Sequence, residues 1–461
     1  MTDSHRTEAE RLFHQGLGQL SANDLDSAEN SFRRALDLSP DFFEAWANLA
    51  FALDQKQELA QAEACYRRAL SIASRSSHTH LNLGTLLAAQ DRSGEAEDCY
   101  REAIACSPES AAAWSNLGVL CIGLKRETEA EELLRKALAL DPTFAKAQFN
   151  LAYLQLRQGR FEEGWQSLEA RDWYRGLENH FECPRWRGES LSGKSLLIGY
   201  EAGHGDVIQF CRYATLLKDQ GTARITLLCH PALKTLLATL AGVDQVLAFD
   251  QDVPRSGWDY WTPLLSLPYH CQTRADSIPA AIPYLHASAD RMAKWGARLP
   301  LGKPRVGLVW KGNPKFDNDA DRSIARLDLL APLGAVPGLN FISLQKGAGE
   351  DEARQPPLGL ALLHLGTDLE DFADAAAIVA QLDLLISVDT AMAHLAGALG
   401  TPCWLLLPDH MADWRWQSER NDSPWYPGRM RLFRQTRRGD WSGAIKSLKQ
   451  ALTSWANQAH A

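Results

Sequence analysis

The 34 residues LDSAENSFRRALDLSPDFFEAWANLAFALDQKQE (25–58) decide the reading of the first third of the chain, because their pattern of small and aromatic positions recurs at a fixed interval. Ala28, Ala62, Ala96 and Ala130 stand 34 residues apart, and the same phase carries Phe32, Tyr66, Tyr100 and Leu134, then Ala35, Ala69, Ala103 and Ala137. Leu12, Trp46, His80 and Trp114 open the units, followed by Gly16, Ala50, Gly84 and Gly118. Pro40, Pro108 and Pro142 close three units, and Ser74 takes that place in the other. Small residues let two helices approach closely, aromatics fill the gaps, and proline stops the second helix. Nearly all of these positions are therefore expected to be core. A degenerate fifth unit spans 145–171, with Gly164 in the small slot. The array is expected to hold a polypeptide on its concave face, with a spacer or a dimer surface as the alternative.

The pattern resembles the tetratricopeptide repeat. After Arg171 the helical period gives way to the loop WYRGLENHFECPRWRGESLSG (173–193) and then to short apolar runs. They are SLLIGY (195–200), RITLLC (224–229) and QVLAF (245–249), and after Pro304 RVGLVW (305–310), NFISLQ (340–345), LLHLG (362–366), LDLLISV (382–388) and PCWLLLP (402–408). Strands alternating with helical stretches predict parallel sheets covered on both faces. The segment 299–303, rich in Pro, Gly and Lys, reads as a linker. The expected organisation is a helical repeat array over 1–172, followed by two α/β Rossmann-like domains over 173–300 and 301–461, the last ending in a closing helix.

Composition limits the partners. The chain has 461 residues, with 48 Lys and Arg against 57 Asp and Glu, a net charge of −9. Grip on nucleic acid or an anionic membrane needs a concentrated positive field, so neither is expected as the main business of this chain. No apolar run approaches the ~20 residues of a membrane span, and the first residues lack the apolar core of a secretory signal. Nine cysteines without paired Cys-x-x-Cys spacing suit a reducing cytoplasm and no structural zinc.

Three strand-to-helix turns carry chemistry. The first is Glu201-Ala202-Gly203-His204-Gly205-Asp206, where Gly203 and Gly205 permit positive φ and close approach of a ligand, and the helix start favours an anion. It lacks the third glycine of the dinucleotide fingerprint, and Asp206 has a plain role as a helix cap. The second is Ser387-Val388-Asp389-Thr390-Ala391-Met392-Ala393-His394. The amides of Thr390 and Ala391 with the Thr390 hydroxyl can cradle a diphosphate, and His394 lies one turn deeper; a capping Asp389 and a core His394 are the alternatives. The third is Trp310-Lys311-Gly312-Asn313-Pro314, with Asp317, Asp319, Asp321, Arg322 and Ser323 beyond it. Lys311 and Arg322 are candidate counter-charges to phosphate. The alternating aspartates lack the glycine and final glutamate of a calcium loop, so no metal is expected.

Assembled in order, these residues resemble bacterial proteins that join tetratricopeptide repeats to a heptosyltransferase-like domain, glycosyltransferase family 9, of the two-lobed GT-B fold. The marks are Gly205-Asp206, Val306-Gly307-Leu308-Val309-Trp310-Lys311-Gly312-Asn313, Asp321-Arg322-Ser323 and Ser343-Leu344-Gln345-Lys346. They continue through Asp371-Phe372-Ala373-Asp374, the block 388–397 that starts Val388-Asp389-Thr390, and Asp413-Trp414-Arg415-Trp416 with Pro424-Trp425-Tyr426. The resemblance implies transfer of a sugar from a nucleotide-diphosphate donor, inverting and without a metal or other cofactor, with the first α/β half on the acceptor side and the second on the nucleotide-sugar side. Asp206 matches the family's proposed general base. Gly205, Lys311, Asn313, Arg322, Ser323, Gln345, Asp389, Thr390, Ala391 and His394 match donor-binding positions, Gln345 near the nucleoside. His204, Gln209, Trp414, Trp416 and Trp425 are candidates for the sugar or acceptor site, with packing as the other reading of the tryptophans. Heptosyltransferases usually carry a basic-aromatic group where this chain has Asp321-Arg322-Ser323, so neither a heptose donor nor a lipopolysaccharide acceptor carries over.

The expected function is thus a cytoplasmic glycosyltransferase whose repeats recruit a protein or peptide acceptor. Two competitors stand beside it. One is a non-catalytic adaptor with a degenerate transferase domain; the other is a transferase for a lipid or polysaccharide acceptor.

Overall fold

Residues that repeat every 34 positions build helices that pack two by two. The computed structural model describes residues 3–316 and 318–459, and the chain divides into two units, Met1–Leu151 and Ala152–Ala461. In the first, α1 (Asp3–Ser21) packs on α2 (Leu25–Leu38), α3 (Phe43–Gln55) on α4 (Leu59–Ile72), α5 (Ser77–Ala89) on α6 (Ser93–Cys106), and α7 (Ala111–Gly123) on α8 (Glu127–Leu140). The small slots face the aromatic slots of the same unit. A Cβ added at Gly16 would lie 2.5 Å from the Phe32 ring, one at Gly84 2.7 Å from the Tyr100 ring, and one at Gly118 3.0 Å from Leu134. Ala28, Ala62, Ala96 and Ala130 are wholly buried.

Two further features follow the same period. Arg92 bridges Glu63 at 2.5 Å and Glu95 at 2.7 Å, and 34 residues on Arg126 bridges Glu97 and Glu129, each at 2.7 Å. These groups are partly exposed, so each pair adds little stability. The turns between paired helices place Asn23, Gln57, Asp91, Lys125 and Gly159 at φ of 59°, 64°, 62°, 61° and 77°. That left-handed conformation costs a non-glycine residue roughly 1–2 kcal/mol, least for Asn and Asp. The repeat geometry imposes it on Gln57 and Lys125 as well.

The second unit begins within α9 (Ala145–Arg157), continues through α10 (Phe161–Leu168), and holds two wholly parallel sheets. The first contains β1 (Ser195–Gly199), β2 (Arg224–Cys229), β3 (Gln245–Ala248) and β4 (Tyr260–Pro263), in the order β3-β2-β1-β4. The second contains β5 (Arg305–Val309), β6 (Asn340–Ser343), β7 (Leu362–His364), β8 (Leu384–Val388), β9 (Cys403–Leu407) and β10 (Met430–Arg434), in the order β10-β9-β8-β5-β6-β7. Buried Val, Leu and Ile fill the central strands because both faces are covered. The order reverses between β1 and β4 in one sheet and between β5 and β8 in the other. Ligands of such sheets bind outside the carboxyl ends of the strands at these reversals.

Three helices position the site: α11 (His204–Phe210) follows β1, α12 (Phe372–Val379) follows β7, and α13 (Ala391–Leu399) follows β8. A last helix, α14 (Ser442–Ala459), closes the second sheet with Ala444, Ile445, Leu448, Leu452 and Ala456 against its core. No described helix is long and apolar enough to cross a membrane.

Candidate functional site

The turns after β1 and β8 meet. A Cβ at Gly205 would lie 2.8 Å from His394 Cδ2 and 3.5 Å from the Ala391 backbone, so α11 and α13 touch where both begin. The glycine expectation is corrected here, since Ala202 takes the positive φ, 62°, and neither Gly203 nor Gly205 does. Gly205 serves close approach, and what approaches is a helix. Nearby, Arg212, just after α11, donates to three loop acceptors, Trp425 O at 2.7 Å, Pro279 O at 3.1 Å and Tyr284 Oη at 2.8 Å.

Asp206 is not the N-cap of α11, which is Gly203, but stands three residues inside it, and its Oδ2 reaches back to accept from the Gly203 N–H at 2.7 Å. Its Oδ1 accepts from Arg415 Nη2. The side chain keeps 21% of its surface exposed, enough for one more partner. Burial pushes this carboxyl up, and the Arg415 guanidinium opposes the rise. Arg415 also donates through Nε to Gln209 Oε1 at 2.5 Å and through Nη1 to both Asp413 oxygens at 3.0 Å. One buried guanidinium thus joins the turn after β1 to the segment after β9.

Thr390 caps α13 in extended backbone but makes no side-chain cap bond; its Oγ1 lies 3.2 Å from Ser387 Oγ. The helix start therefore keeps amide donors and a partial positive charge. Asp389, just before it, is raised well above the carboxylate range by burial and by Asp413, against the pull of Arg322 and Arg415. His394 is buried, with Nδ1 2.9 Å from Tyr426 Oη and its ring stacked on Trp416 at 5.3 Å. Burial, with Arg415 and Arg212 nearby, keeps this imidazole neutral. Because Tyr426 and Trp416 fix His394, Gly205→Ala should cost about 1–3 kcal/mol through overpacking. A thermal melt equal to wild type would show that the two turns do not touch.

The remaining donor candidates are engaged within the protein. Lys311 Nζ pairs with Glu352. Arg322 Nε donates to Asp319 at 3.1 Å, and its guanidinium lies 4.4 Å over the Phe316 ring. Ser323 Oγ accepts from the Gly312 N–H at 2.8 Å, and exposed Asn313 accepts from the Lys315 N–H at 3.1 Å. Gln345 uses its whole amide on backbone, accepting from Trp310 and Lys311 N–H groups and donating to the Lys311 and Ala348 carbonyls. It clamps the loop after β5. Asp321 pairs with Arg438 at 2.7 Å, and Asp317 lies outside the described residues. Among the described residues no group of His, Cys, Asp and Glu has the arrangement of a metal site.

His204 stands 4.4 Å from His230 and 5.3 Å from Phe372, ring to ring, and burial beside His230 pulls its pKa down to about 4. The three tryptophans are packing residues. Trp414 and Trp425 share an aromatic cluster with Phe161, Trp165 and Phe210, and Trp416 is wholly buried under His394. As sugar-facing groups they are corrected, because at 0–2% exposure no ligand reaches their faces. Sequence reasoning missed Arg415 as the partner of Asp206, Asp413 as the second acid on that guanidinium, and Tyr153 on α9. Desolvation pushes the Tyr153 hydroxyl up, and Asp413, Asp206 and Asp389 act on it in the same direction.

Comparison with known proteins finds tetratricopeptide repeats over residues 81–143 and over 19–78 and 122–170. The first third is a tetratricopeptide-repeat solenoid, and an α/β region of parallel sheets follows it. The chain is 31% identical over 333 residues to Protein FlbA of Caulobacter vibrioides, a match that takes in 66% of this chain and 54% of that protein. The chain therefore spans about half the length of this relative. Such a match is longer than the 151-residue first unit, so it runs into the α/β region. Among solved structures, Pseudomonas aeruginosa PilF is 22% identical with a TM-score of 0.38, covering 48% of this chain and 89% of its own. YrrB, a tetratricopeptide-repeat protein with an unusual peptide-binding site, is 18% identical with a TM-score of 0.30, covering 34% and 82%.

Proposed function

We propose that this protein is an inverting, metal-independent glycosyltransferase of the GT-B type, which takes a sugar from a nucleotide-diphosphate donor and whose repeats recruit a polypeptide acceptor. The observation that carries the reading is the meeting of the turns after β1 and β8, where Gly205, next to Asp206, packs on the start of α13, which has no side-chain cap. A carboxylate there takes the proton of an acceptor hydroxyl as it attacks the anomeric carbon. The helix start and the arginines stabilise the departing diphosphate. Residues 173–300 then serve the acceptor and 301–461 the donor. Nine free thiols suit a reducing, cytoplasmic setting.

A second reading, a repeat adaptor with a degenerate transferase domain, draws on the engagement of Lys311 by Glu352 and of Gln345 by backbone. A thermal-shift panel of ADP, GDP, UDP and CMP with their sugar conjugates separates the two. A ligand that binds only the folded state stabilises it by about 2.7 kcal/mol at a hundred times its dissociation constant. One nucleotide is expected to raise the melting temperature, and the rise should vanish in Lys311→Ala/Arg322→Ala. Silence across the panel would move the protein to the adaptor class.

A further inference from the structure

We propose that Arg415 is shared between Asp206 and the donor diphosphate, so that it masks the carboxylate in the free protein and releases it once the donor is bound. The inference rests on the transferase reading and adds a regulation of the same site. Arg415 is 6% exposed, and its guanidinium is placed by three partners, Asp206, Gln209 and Asp413. Lys311 and Arg322 remain the donor-side cations of the proposed site, each held by one acid in the free protein, Glu352 and Asp319. Arg415 bonds Asp206 and Gln209 on α11, and its chain neighbour Trp416 stacks on His394 of α13 at 5.3 Å.

Arg415 is shared by two carboxylates, Asp206 and Asp413, so neither holds its whole charge. Gln209, fully buried beside it, has an Nε2 donor without an acceptor among the described residues. A diphosphate carries more charge than a carboxylate and matches the planar fork of a guanidinium. Asp206 loses one ion pair in the exchange but keeps the Gly203 N–H.

In the transfer step the acceptor O–H gives its proton to the freed Asp206 while its oxygen bonds to the anomeric carbon. The bond from that carbon to the diphosphate oxygen breaks, and the diphosphate leaves with the electron pair, its charge met by Arg415. A protein without donor therefore holds its base in an ion pair.

The test needs no acceptor and uses the full chain. Titration calorimetry with ADP, GDP and UDP compares wild type, Asp206→Asn and Arg415→Lys. If Asp206 holds Arg415 about nine-tenths of the time, removing its charge should tighten diphosphate binding about tenfold. Arg415→Lys, which keeps the charge and loses the fork, should weaken it. Adenosine, guanosine and uridine should show no gain with Asp206→Asn. Wild-type binding of one diphosphate with an equal affinity in Asp206→Asn would overturn the shared role and leave the transferase reading standing. No diphosphate binding by either protein would overturn the transferase reading itself.

Discussion

Asp206→Asn is expected to lower sugar transfer by about two to four orders of magnitude, the usual contribution of a positioned general base. The asparagine Oδ1 can still accept from the Gly203 N–H, so the start of α11 should survive and the loss should fall on turnover rather than on folding. Burial raises the carboxyl of the wild type and Arg415 only partly offsets it. The base works ionised, so activity should fall as pH falls through a value above the ordinary aspartate range. Initial rates of nucleoside diphosphate release between pH 4 and 8 measure both effects. Wild-type turnover in the variant would remove Asp206 from the mechanism.

What the sequence made legible was local. Eight apolar runs read as strands are strands, and the 34-residue phase places helices, buried alanines and glycine slots where the structure has them. The two strands missed, β4 and β10, have physical reasons. YWTP (260–263) ends in proline and is half aromatic, and MRLFR (430–434) sets two arginines among three apolar residues on an edge strand. The left-handed turns at Asn23, Gln57, Asp91 and Lys125 were hidden because geometry, not residue type, repeats there.

The candidate site was legible as turns and illegible as pairings. Asp206 and Arg415 are 209 residues apart, and no spacing rule links an aspartate in one half to an arginine in the other. Each flanking sequence gave a reason to notice a different neighbour, glycines in one and tryptophans in the other. Tyr153 lies at the repeat position of Leu17, Phe51, Thr85 and Val119, so its phase carries no signal of its own. Lys311 and Arg322 were read as counter-charges to phosphate; the acids that hold them in the structure, Glu352 and Asp319, come from packing and local loop geometry.

Arg171→Ala should be the most damaging single change to stability in the α/β unit. This guanidinium has no exposed surface and grips Glu201 through two bonds, at 2.8 and 3.0 Å, with Glu169 at 2.8 Å and Ser266 Oγ at 2.9 Å. Glu201, also buried, accepts in addition from the Leu265 N–H at 2.6 Å. Removing the arginine leaves that carboxylate buried without its cation, a loss of about 3–5 kcal/mol. Against a total stability of about 5–15 kcal/mol, the melting temperature should fall by roughly 10 °C. Arg171→Met/Glu201→Gln, which removes both charges and keeps an acceptor for Leu265, should recover much of the loss. A single variant that melts with the wild type, or a double variant no better than the single, would show that the pair does not carry this stability. The position of Arg171 gives the result a further meaning. It ends the degenerate fifth repeat, whose Trp165 packs on Phe210, Trp414 and Trp425 and donates to Thr273 O at 3.0 Å. By sequence pattern residues 152–171 belong to the array, and by packing they are part of the floor on which the first sheet and Asp206 are held.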